Sequence, residues 1–246
     1  MQQRFRFDLA YNGKPFFGWQ RQPKQHSVQA EIENCLFKLY QTDINVVGCG
    51  RTDTGVHAHF YVLHVDLDNS RYSVDDLLYK MNKMLPESIV IYSIKEVFSE
   101  FHARFDAKER TYRYFIHHQK NPFLTETSLL LHQYVDFEMM NVAAQNLIGK
   151  KDFTSFSKLH TDVYTNICDV KEAKWIEYES GRWYFQISAD RFLRNMVRAT
   201  VGTLLEVGYG KLDVNSITTI LEKKDRCEAK TSVSAHALFL WDVKYP

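Results

Sequence analysis

Strand-like and helix-like patterns follow one another along this chain in an order that occurs twice, and no other feature constrains the fold as strongly. At the N-terminus, apolar residues at every second position, Phe5, Phe7 and Leu9, predict a strand. Ser27 then stands as an N-cap before a stretch whose apolar residues share one helical face. The order β-α-β-β-α-β is completed by predicted strands at 44–49 and 56–66, a helix at 74–85 capped by Ser73, and a strand at 89–97.

The second half of the chain has the same order of patterns. Its predicted elements are a strand at 111–118, a helix at 137–149 ended by Gly149, two strands within 170–188 joined at Ser180-Gly181, a helix at 191–208, an additional helix at 214–223 and a closing strand at 237–246. Such alternation with hairpins is typical of antiparallel sheets covered by helices on one side. The sequence therefore predicts an α+β fold of two tandem split βαβ units with mainly antiparallel sheets, residues 1–103 and 104–246.

The charge balance excludes a globally basic or acidic protein. Thirty-one Lys and Arg residues against thirty Asp and Glu give a formal net charge of +1, so a surface for nucleic acid must come from local clustering. No apolar run approaches the roughly 20 residues that a membrane span needs. The N-terminus alternates polar and apolar residues where a signal peptide would be apolar. We therefore expect a cytoplasmic protein without a membrane partner.

The sequence GCGRTDTGVHAH, residues 48–59, places Asp53 between two predicted strands. Asp-Thr-Gly is a common turn sequence, in which Asp caps its own backbone and Gly takes a positive φ. It is also the signature of aspartic proteases, but those need two carboxylates that share one proton in an all-β fold. This chain has one copy and several predicted helices, and Arg51 favours the charged form of Asp53. A plain turn is thus a stronger interpretation than a protease.

A metal site is a third interpretation of this segment. His57 and His59 lie two residues apart on one strand face, and Asp53 or His64 would add a ligand. His64, however, has the opposite parity and points to the other face. Histidines on a half-buried strand more often satisfy local hydrogen bonds, so we predict no metal.

The fourth interpretation is chemical: Asp53 acts as a nucleophile or electrostatic centre on a nucleic-acid substrate. A carboxylate is a nucleophile only if it stays ionised while it is shielded from water. A neighbouring guanidinium favours that state. Arg51 and a partner from the second unit are the candidates for it.

Five sequence segments are distributed over nearly the whole chain. They are YNGKPFFGWQRQP with SVQAEIE, GCGRTDTGVHA, FHARFDAKERTYRY, DFTSFS and FLRNMVRATVG. Together they resemble the blocks of the tRNA pseudouridine synthase A family, whose signature is GxGRTDxGVHA. The resemblance implies two ferredoxin-like units that form an extended sheet with a central cleft. The first unit would carry the Asp53 loop, and the second would complete the cleft.

The resemblance also implies a reaction, the isomerisation of uridine to pseudouridine in the anticodon stem-loop of tRNA, at positions 38 to 40. The bond from ribose C1′ to uracil N1 breaks, the base turns, and C1′ joins C5. No net redox change occurs, so no cofactor is expected. The family is typically homodimeric, which we expect here. Two points stay open: which of the three positions is preferred, and whether the carboxylate attacks C1′ or C6.

Five residues match functional positions of the family. Asp53 corresponds to the nucleophile and Arg198 to the arginine that pairs with it. Tyr112 matches a tyrosine that stacks on the flipped uracil and helps to remove the C5 proton. Arg51 matches the residue that takes the place of the flipped base, and Leu238 matches a pocket leucine.

Clusters of basic residues supply the positive surface that the net charge lacks. Arg191, Arg194 and Arg198 stand at i, i+3 and i+7, which predicts one stripe along a helix. Arg110 lies at the start of a predicted strand, near Tyr112. Apart from Arg198, we expect these arginines to contact RNA phosphates.

Three points qualify the resemblance. Pattern alone favours Tyr112 and Tyr114 as one face of a core strand, and only the family match gives Tyr112 a function. The segment VSAHAL, residues 233–238, replaces the family's APAxGL, which leaves the backbone beside Leu238 open. A catalytically silent module that binds single-stranded RNA is the alternative function, since ferredoxin-like sheets with exposed aromatics do so without chemistry. The intact Asp53 argues against that alternative.

Overall fold

Two structural units account for the chain. The computed structural model describes residues 2–158 and 164–246. The first unit takes in the chain up to Lys108 together with Leu240–Pro246, and the second comprises Glu109–Phe239. Among the described residues, no helix has the length and apolar character to cross a membrane.

The first unit has the element order β-α-β-β-α-β, which confirms the order predicted for it. Its elements are β1 (Gln2–Tyr11), α1 (Val28–Tyr40), β2 (Val47–Gly48), β3 (His57–Asp68), α2 (Val74–Met84) and β4 (Ile89–Glu96). Strand β1 lies between β3 and β4 and is antiparallel to both, and β2 pairs with β3. Ser27 and Ser73 cap the helices as predicted, because each Oγ accepts the N–H three residues ahead, at 3.3 and 3.2 Å.

One face of this sheet and the apolar faces of its helices form the core of the first unit. Phe7 on β1 stands opposite Leu63 on β3 and Ile94 on β4, and all three are buried. Ile32 of α1 and Met81 of α2 are fully buried as well. On β1 the apolar residues Phe5, Phe7 and Leu9 are buried at every second position, and this pattern fixes the register, since a shift by one residue would turn the apolar set to the other face.

The described part of the second unit contains five strands and three α-helices. Its elements are β5 (Glu109–His117), β6 (Leu129–Leu130), α3 (Phe137–Gln145), β7 (Gly149–Asp152), β8 (Ile167–Glu179), β9 (Arg182–Ala189), α4 (Met196–Gly208) and α5 (Ser216–Lys223). The antiparallel order is β5-β9-β8-β7, and β6 is parallel to β5. Helix α3 ends at Gln145, earlier than predicted, because Gly149 (φ 99°) opens β7 instead of ending the helix.

The start of α4 corrects the predicted arginine stripe. The helix begins at Met196, because Asn195 takes a left-handed conformation with φ of 67° and the backbone before it is irregular. Arg191 and Arg194 therefore precede the helix, and only Arg198 lies within it. The prediction that the three arginines share one helical face is wrong.

The final strand, β10 (Leu238–Lys244), lies next to β3, so the strand order of the first unit is β4-β1-β3-β10. The Lys108 N–H donates to the Lys244 carbonyl at 2.8 Å. Because of this pairing, the last residues group with the first unit. The domain boundaries predicted from sequence, 1–103 and 104–246, placed them with the second.

Candidate active site

Asp53 lies in the loop between β2 and β3, and its side chain is half-buried. Hydrogen bonds fix the backbone around it: the Trp19 N–H donates to the Thr52 carbonyl at 3.2 Å, and the Val56 N–H donates to the Asp53 carbonyl at 3.1 Å. The Thr52 side chain is buried and shares a 2.8 Å hydrogen bond with the Tyr11 hydroxyl. The loop therefore holds Asp53 in a defined position, because the side chain of the preceding residue, Thr52, is fixed in the core.

Two glycines of a second loop, residues 12–27, are pressed against the Asp53 loop. A Cβ on Gly18 would lie 2.4 Å from the Thr52 carbonyl oxygen, and one on Gly13 would lie 2.0 Å from that of Val56. Gly18 also has a φ of 84°, which side chains rarely adopt. Sequence reasoning missed both glycines, although an isolated glycine among bulky residues can mark a close backbone approach.

Aromatic rings pack on the core side of the same loop. The rings of Trp19 and Tyr61 stack with centroids 4.1 Å apart, and the Tyr61 hydroxyl donates to the Gly50 carbonyl at 2.5 Å. A Cβ on Gly48 would lie 2.0 Å from that hydroxyl, so glycine is needed there to admit the ring. A Cβ on Gly50, by contrast, would meet nothing within 4 Å. The first glycine of GCG is thus a packing requirement, and the second is not.

Arg51 stands at the surface two residues before Asp53. Its side chain is exposed, and its Nε donates to Gln20 Oε1 at 3.2 Å. Gln20 in turn donates to Gln29 Oε1 at 2.9 Å. The guanidinium is therefore oriented by a polar contact at the surface.

The three histidines of β3 have structural partners. These partners are the Gly13 N–H for His57 Nδ1 (3.1 Å), the Trp241 ring for His59 (4.0 Å between centroids) and the Ala103 N–H for His64 Nδ1 (3.0 Å). Burial, reinforced by the charge of Arg4, lowers the pKa of His64 to about 4. Within the described ranges, no group of three His, Cys, Asp or Glu side chains is placed to hold a metal ion.

Tyr112 and Tyr114 lie two residues apart on β5, and the structure distinguishes them. Tyr114 is fully buried and donates to the Ser234 carbonyl at 3.1 Å; burial raises the pKa of its hydroxyl to about 12. Tyr112 is half-buried, and its ring meets Phe192 edge-on with centroids 5.0 Å apart. Tyr114 is thus a core residue, whereas Tyr112 keeps part of its ring accessible. Sequence reasoning missed Phe192, which no pattern linked to this strand.

Arg198 lies in the first turn of α4 and is half-buried. Its Nε donates to the Val233 carbonyl at 2.7 Å, and the Val233 N–H donates to the Arg198 carbonyl at 3.2 Å. The segment that carries Val233 can pass this close because Gly202 has no side chain: a Cβ there would lie 2.0 Å from the Thr231 carbonyl oxygen. Arg198 is therefore a fixed, partly buried cation and not a solvated helix charge.

The other predicted RNA-binding arginines lie near the start of β5 (Arg110) and in the segment before α4 (Arg191 and Arg194). Arg110 Nη1 donates to the Asp190 carbonyl at 2.7 Å, and the Arg191 N–H donates to Asp190 Oδ1 at 2.7 Å. Arg194 is exposed, and its carbonyl accepts the Lys158 N–H at 3.0 Å. Asp190 thus joins Arg110 and Arg191 in one place, although they are far apart in sequence.

Leu238 is buried and follows a short 3-10 helix, Ala235–Ala237. Ser234 Oγ and His236 Nδ1 form a 2.9 Å hydrogen bond, and His236 Nε2 lies 3.2 Å from the Ser128 carbonyl oxygen. The segment that departs from the family pattern therefore has polar contacts of its own, which hold the backbone that leads to Leu238.

The predicted site residues divide between the two units. The first unit brings Asp53 and Arg51 into one loop. The second unit carries the remaining candidates, which are Tyr112, Arg110, Arg191, Arg194, Arg198 and Leu238. Chemically, these groups comprise one carboxylate, one ring suited to stacking on a base, and guanidinium groups suited to anionic partners.

Sequence comparisons with known proteins agree on one protein family. A sequence profile described as "tRNA pseudouridine synthase" matches residues 9–106 and 143–246, so it includes Asp53 and Arg198, while Tyr112 lies between the two matched segments. The tRNA pseudouridine synthase A of Parabacteroides distasonis is 52% identical over 97% of this chain and 94% of its own length. That of Bacteroides fragilis is 48% identical, over 99% and 97%. A solved archaeal box H/ACA sRNP Nop10-Cbf5 complex is 12% identical with a TM-score of 0.36, over 82% of this chain and 44% of that one, and carries no argument.

Proposed function

The chain belongs to the tRNA pseudouridine synthase family and isomerises uridine to pseudouridine in tRNA; from this premise we propose that its target uridines lie in the anticodon stem-loop, at positions 38 to 40, and that Asp53 is its nucleophile. The observation that supports Asp53 best is the loop that presents it. Backbone hydrogen bonds fix the residues around Asp53, and Thr52 is anchored in the core, while the carboxylate stays half-buried.

A fixed carboxylate suits the steps of this isomerisation. Asp53 attacks C1′ of the ribose or C6 of the ring, the bond from C1′ to N1 breaks, and the detached uracil turns. C1′ then joins C5, and the bond that Asp53 formed, to C1′ or to C6, breaks and frees the carboxylate. The proton on C5 leaves, and N1 gains a proton. Atoms and electrons balance without an oxidant or reductant, so the reaction needs no cofactor. Because attack needs near-contact geometry, a rigid loop lowers the barrier.

Tyr112 stacks on the flipped uracil, and its hydroxyl helps to remove the C5 proton. Its half-buried ring, held at its edge by Phe192, supports this role, since a flipped base is commonly stacked against an aromatic side chain. Leu238 lines the same pocket. Arg198 pairs with the Asp53 carboxylate, which its fixed and partly buried guanidinium suits.

Arginines bind the RNA around the target base. Arg51 takes the place that the flipped base leaves, a role that suits an exposed side chain two residues from the nucleophile. Arg110, Arg191 and Arg194 contact phosphates. Phosphate contacts need only a local basic surface, so the net charge of +1 does not oppose them.

The proposed architecture is that of two ferredoxin-like units that form an extended sheet with a central cleft. The first unit's β-α-β-β-α-β order, with β1 between β3 and β4, supports this description for that half. We further propose that the protein acts in the cytoplasm as a homodimer, as is typical of the family.

Incubation with unmodified tRNA tests this function. The buffer contains a chelator and no nucleotides, and pseudouridine is mapped by chemical labelling because isomerisation leaves the mass unchanged. We expect label at one or more of positions 38, 39 and 40, and none when the uridines at these positions are replaced by cytidine. Tight tRNA binding without any label would instead favour the silent RNA-binding module.

A further inference from the structure

Phe17 is a large apolar side chain left in solvent beside the Asp53 loop. Its residue is 48% exposed, whereas the preceding Phe16 is 1% exposed and packs on the His26 ring at 4.8 Å between centroids. Among the described residues, none of the aromatic contacts involves Phe17. Its backbone is nevertheless fixed, because the Phe17 N–H donates to the His26 carbonyl at 2.8 Å.

Both chain neighbours of Phe17 touch the loop that carries the nucleophile. The Phe16 carbonyl accepts the Gly55 N–H at 3.4 Å. On the other side, a Cβ on Gly18 would lie only 3.2 Å from the carbonyl carbon of Asp53. Phe17 therefore stands on backbone that is in contact with the Asp53 loop at two points.

Exposure of one aromatic residue carries no meaning by itself, since scattered apolar side chains are normal on protein surfaces. Phe17 differs by its position, because hydrogen bonds fix its backbone beside the Asp53 loop. An aromatic side chain has only two rotatable bonds, so little conformational entropy remains to be lost on contact. The same loop carries the exposed residues Lys14 and Lys24, which suit a polyanion.

We propose that Phe17 is a substrate-binding residue whose ring stacks on an unpaired RNA base next to the target uridine. This inference rests on the proposed role of Asp53, since it places the base by the loop that carries the nucleophile. Stacking is tolerant of base identity because every base has a π face. Phe17 thus contributes affinity and placement of the strand and leaves the choice of base to other groups.

The test compares Phe17→Ala with Phe17→Tyr, which keeps the ring, and with Phe37→Ala. Phe37 is a matched control, because it is 45% exposed on α1 of the same unit. We expect Phe17→Ala to weaken tRNA affinity and raise KM by about tenfold, and Phe17→Tyr and Phe37→Ala to stay within about twofold of wild type. Because no charge is lost, the slope of log affinity against log salt should not change.

Two further readouts separate stacking from a structural role. The thermal midpoint of Phe17→Ala should equal that of the wild type, because the ring is exposed. A 2-aminopurine next to the target position should be quenched on binding by the wild type and not by Phe17→Ala. Unchanged affinity in Phe17→Ala, an equal loss in Phe17→Tyr, or a lowered thermal midpoint would overturn the inference.

Affinities are measured in the Asp53→Asn background as well, so that the two proposals fail separately. If Asp53→Asn remains active, the role of Asp53 fails while the affinity loss of Phe17→Ala still reports stacking. If Asp53→Asn is inactive and Phe17→Ala binds as tightly as wild type, only the inference on Phe17 is refuted.

Discussion

Gly18→Ala is the change that tests most sharply how the fold holds the Asp53 loop. Gly18 has a φ of 84°, and a Cβ on it would lie 2.4 Å from the Thr52 carbonyl oxygen. That oxygen accepts the Trp19 N–H at 3.2 Å. Alanine would therefore have to adopt an unfavourable backbone conformation, and its methyl group would push apart the Gly18 and Thr52 backbones, which are in contact.

The magnitude follows from these distances. A side chain in the left-handed region costs about 1–2 kcal/mol, and loss of the hydrogen bond to Thr52 costs about 1 kcal/mol. Ordinary contact begins at 3.4 Å, so the Thr52 backbone must move by about 1 Å. We expect the free energy of unfolding to fall by about 2–3 kcal/mol. Asp53 directly follows Thr52, so the shift of the Thr52 backbone also displaces the Asp53 carboxylate, and we expect turnover to fall by roughly 100-fold.

Gly50→Ala is the matched control, because Gly50 lies in the Asp53 loop itself and a Cβ on it would meet nothing within 4 Å. Urea unfolding gives the change in stability, and single-turnover formation of pseudouridine at saturating tRNA gives the change in rate. Gly50→Ala should change the free energy of unfolding by less than about 0.5 kcal/mol. If Gly18→Ala is as stable and as active as Gly50→Ala, the close approach of the two loops does not position Asp53, and the reasoning is refuted.

Three further predictions concern other groups. The pKa of His64 is about 4 in the folded state and 6.5 ordinarily, so the free energy of unfolding should fall as pH drops from about 6.5 to 4. His64→Asn keeps an acceptor for the Ala103 N–H and should flatten this pH dependence in urea titrations. The same pH dependence in His64→Asn and wild type would contradict the role of His64. Tyr112→Phe should keep tRNA affinity and lose turnover, whereas Tyr112→Leu should lose both; equal effects would exclude stacking. Arg198→Ala should cut turnover strongly without changing the slope of log tRNA affinity against log salt, whereas Arg194→Ala should lower that slope by about one unit. Equal slopes and equal turnover for the two variants would point to a uniform RNA-binding surface.

Local pattern was sufficient for the long elements of the fold. The caps at Ser27 and Ser73, and the order of the first unit, follow from signals within a few residues of each element. The start of α4 does not, because helix periodicity continues back through 191–195 while Asn195 breaks the backbone with a positive φ. Strands of two to four residues, such as β6 and β7, are too short to show any period.

The place of Asp53 in the fold was predictable from the sequence, and the contacts that hold its loop were not. The sequence placed Asp53 in a loop between two strands, which the structure confirms. The contact of Gly18 with Thr52 joins segments far apart in sequence, and no local pattern reports such contacts. Periodicity likewise gives the face of a strand and not its depth, so it could not separate the buried Tyr114 from the half-buried Tyr112.

The Asp53→Asn variant shows whether the Asp53 carboxylate is the nucleophile. Pseudouridine formation on unmodified tRNA and tRNA affinity are measured together, with Asp43→Asn as a control that removes the same charge from an exposed position of the same unit. The amide keeps the shape of the side chain but is not an anionic nucleophile. We expect no detectable product from Asp53→Asn with nearly wild-type affinity, and full activity from Asp43→Asn. Turnover by Asp53→Asn at more than a few per cent of the wild-type rate would show that the Asp53 carboxylate is not the nucleophile.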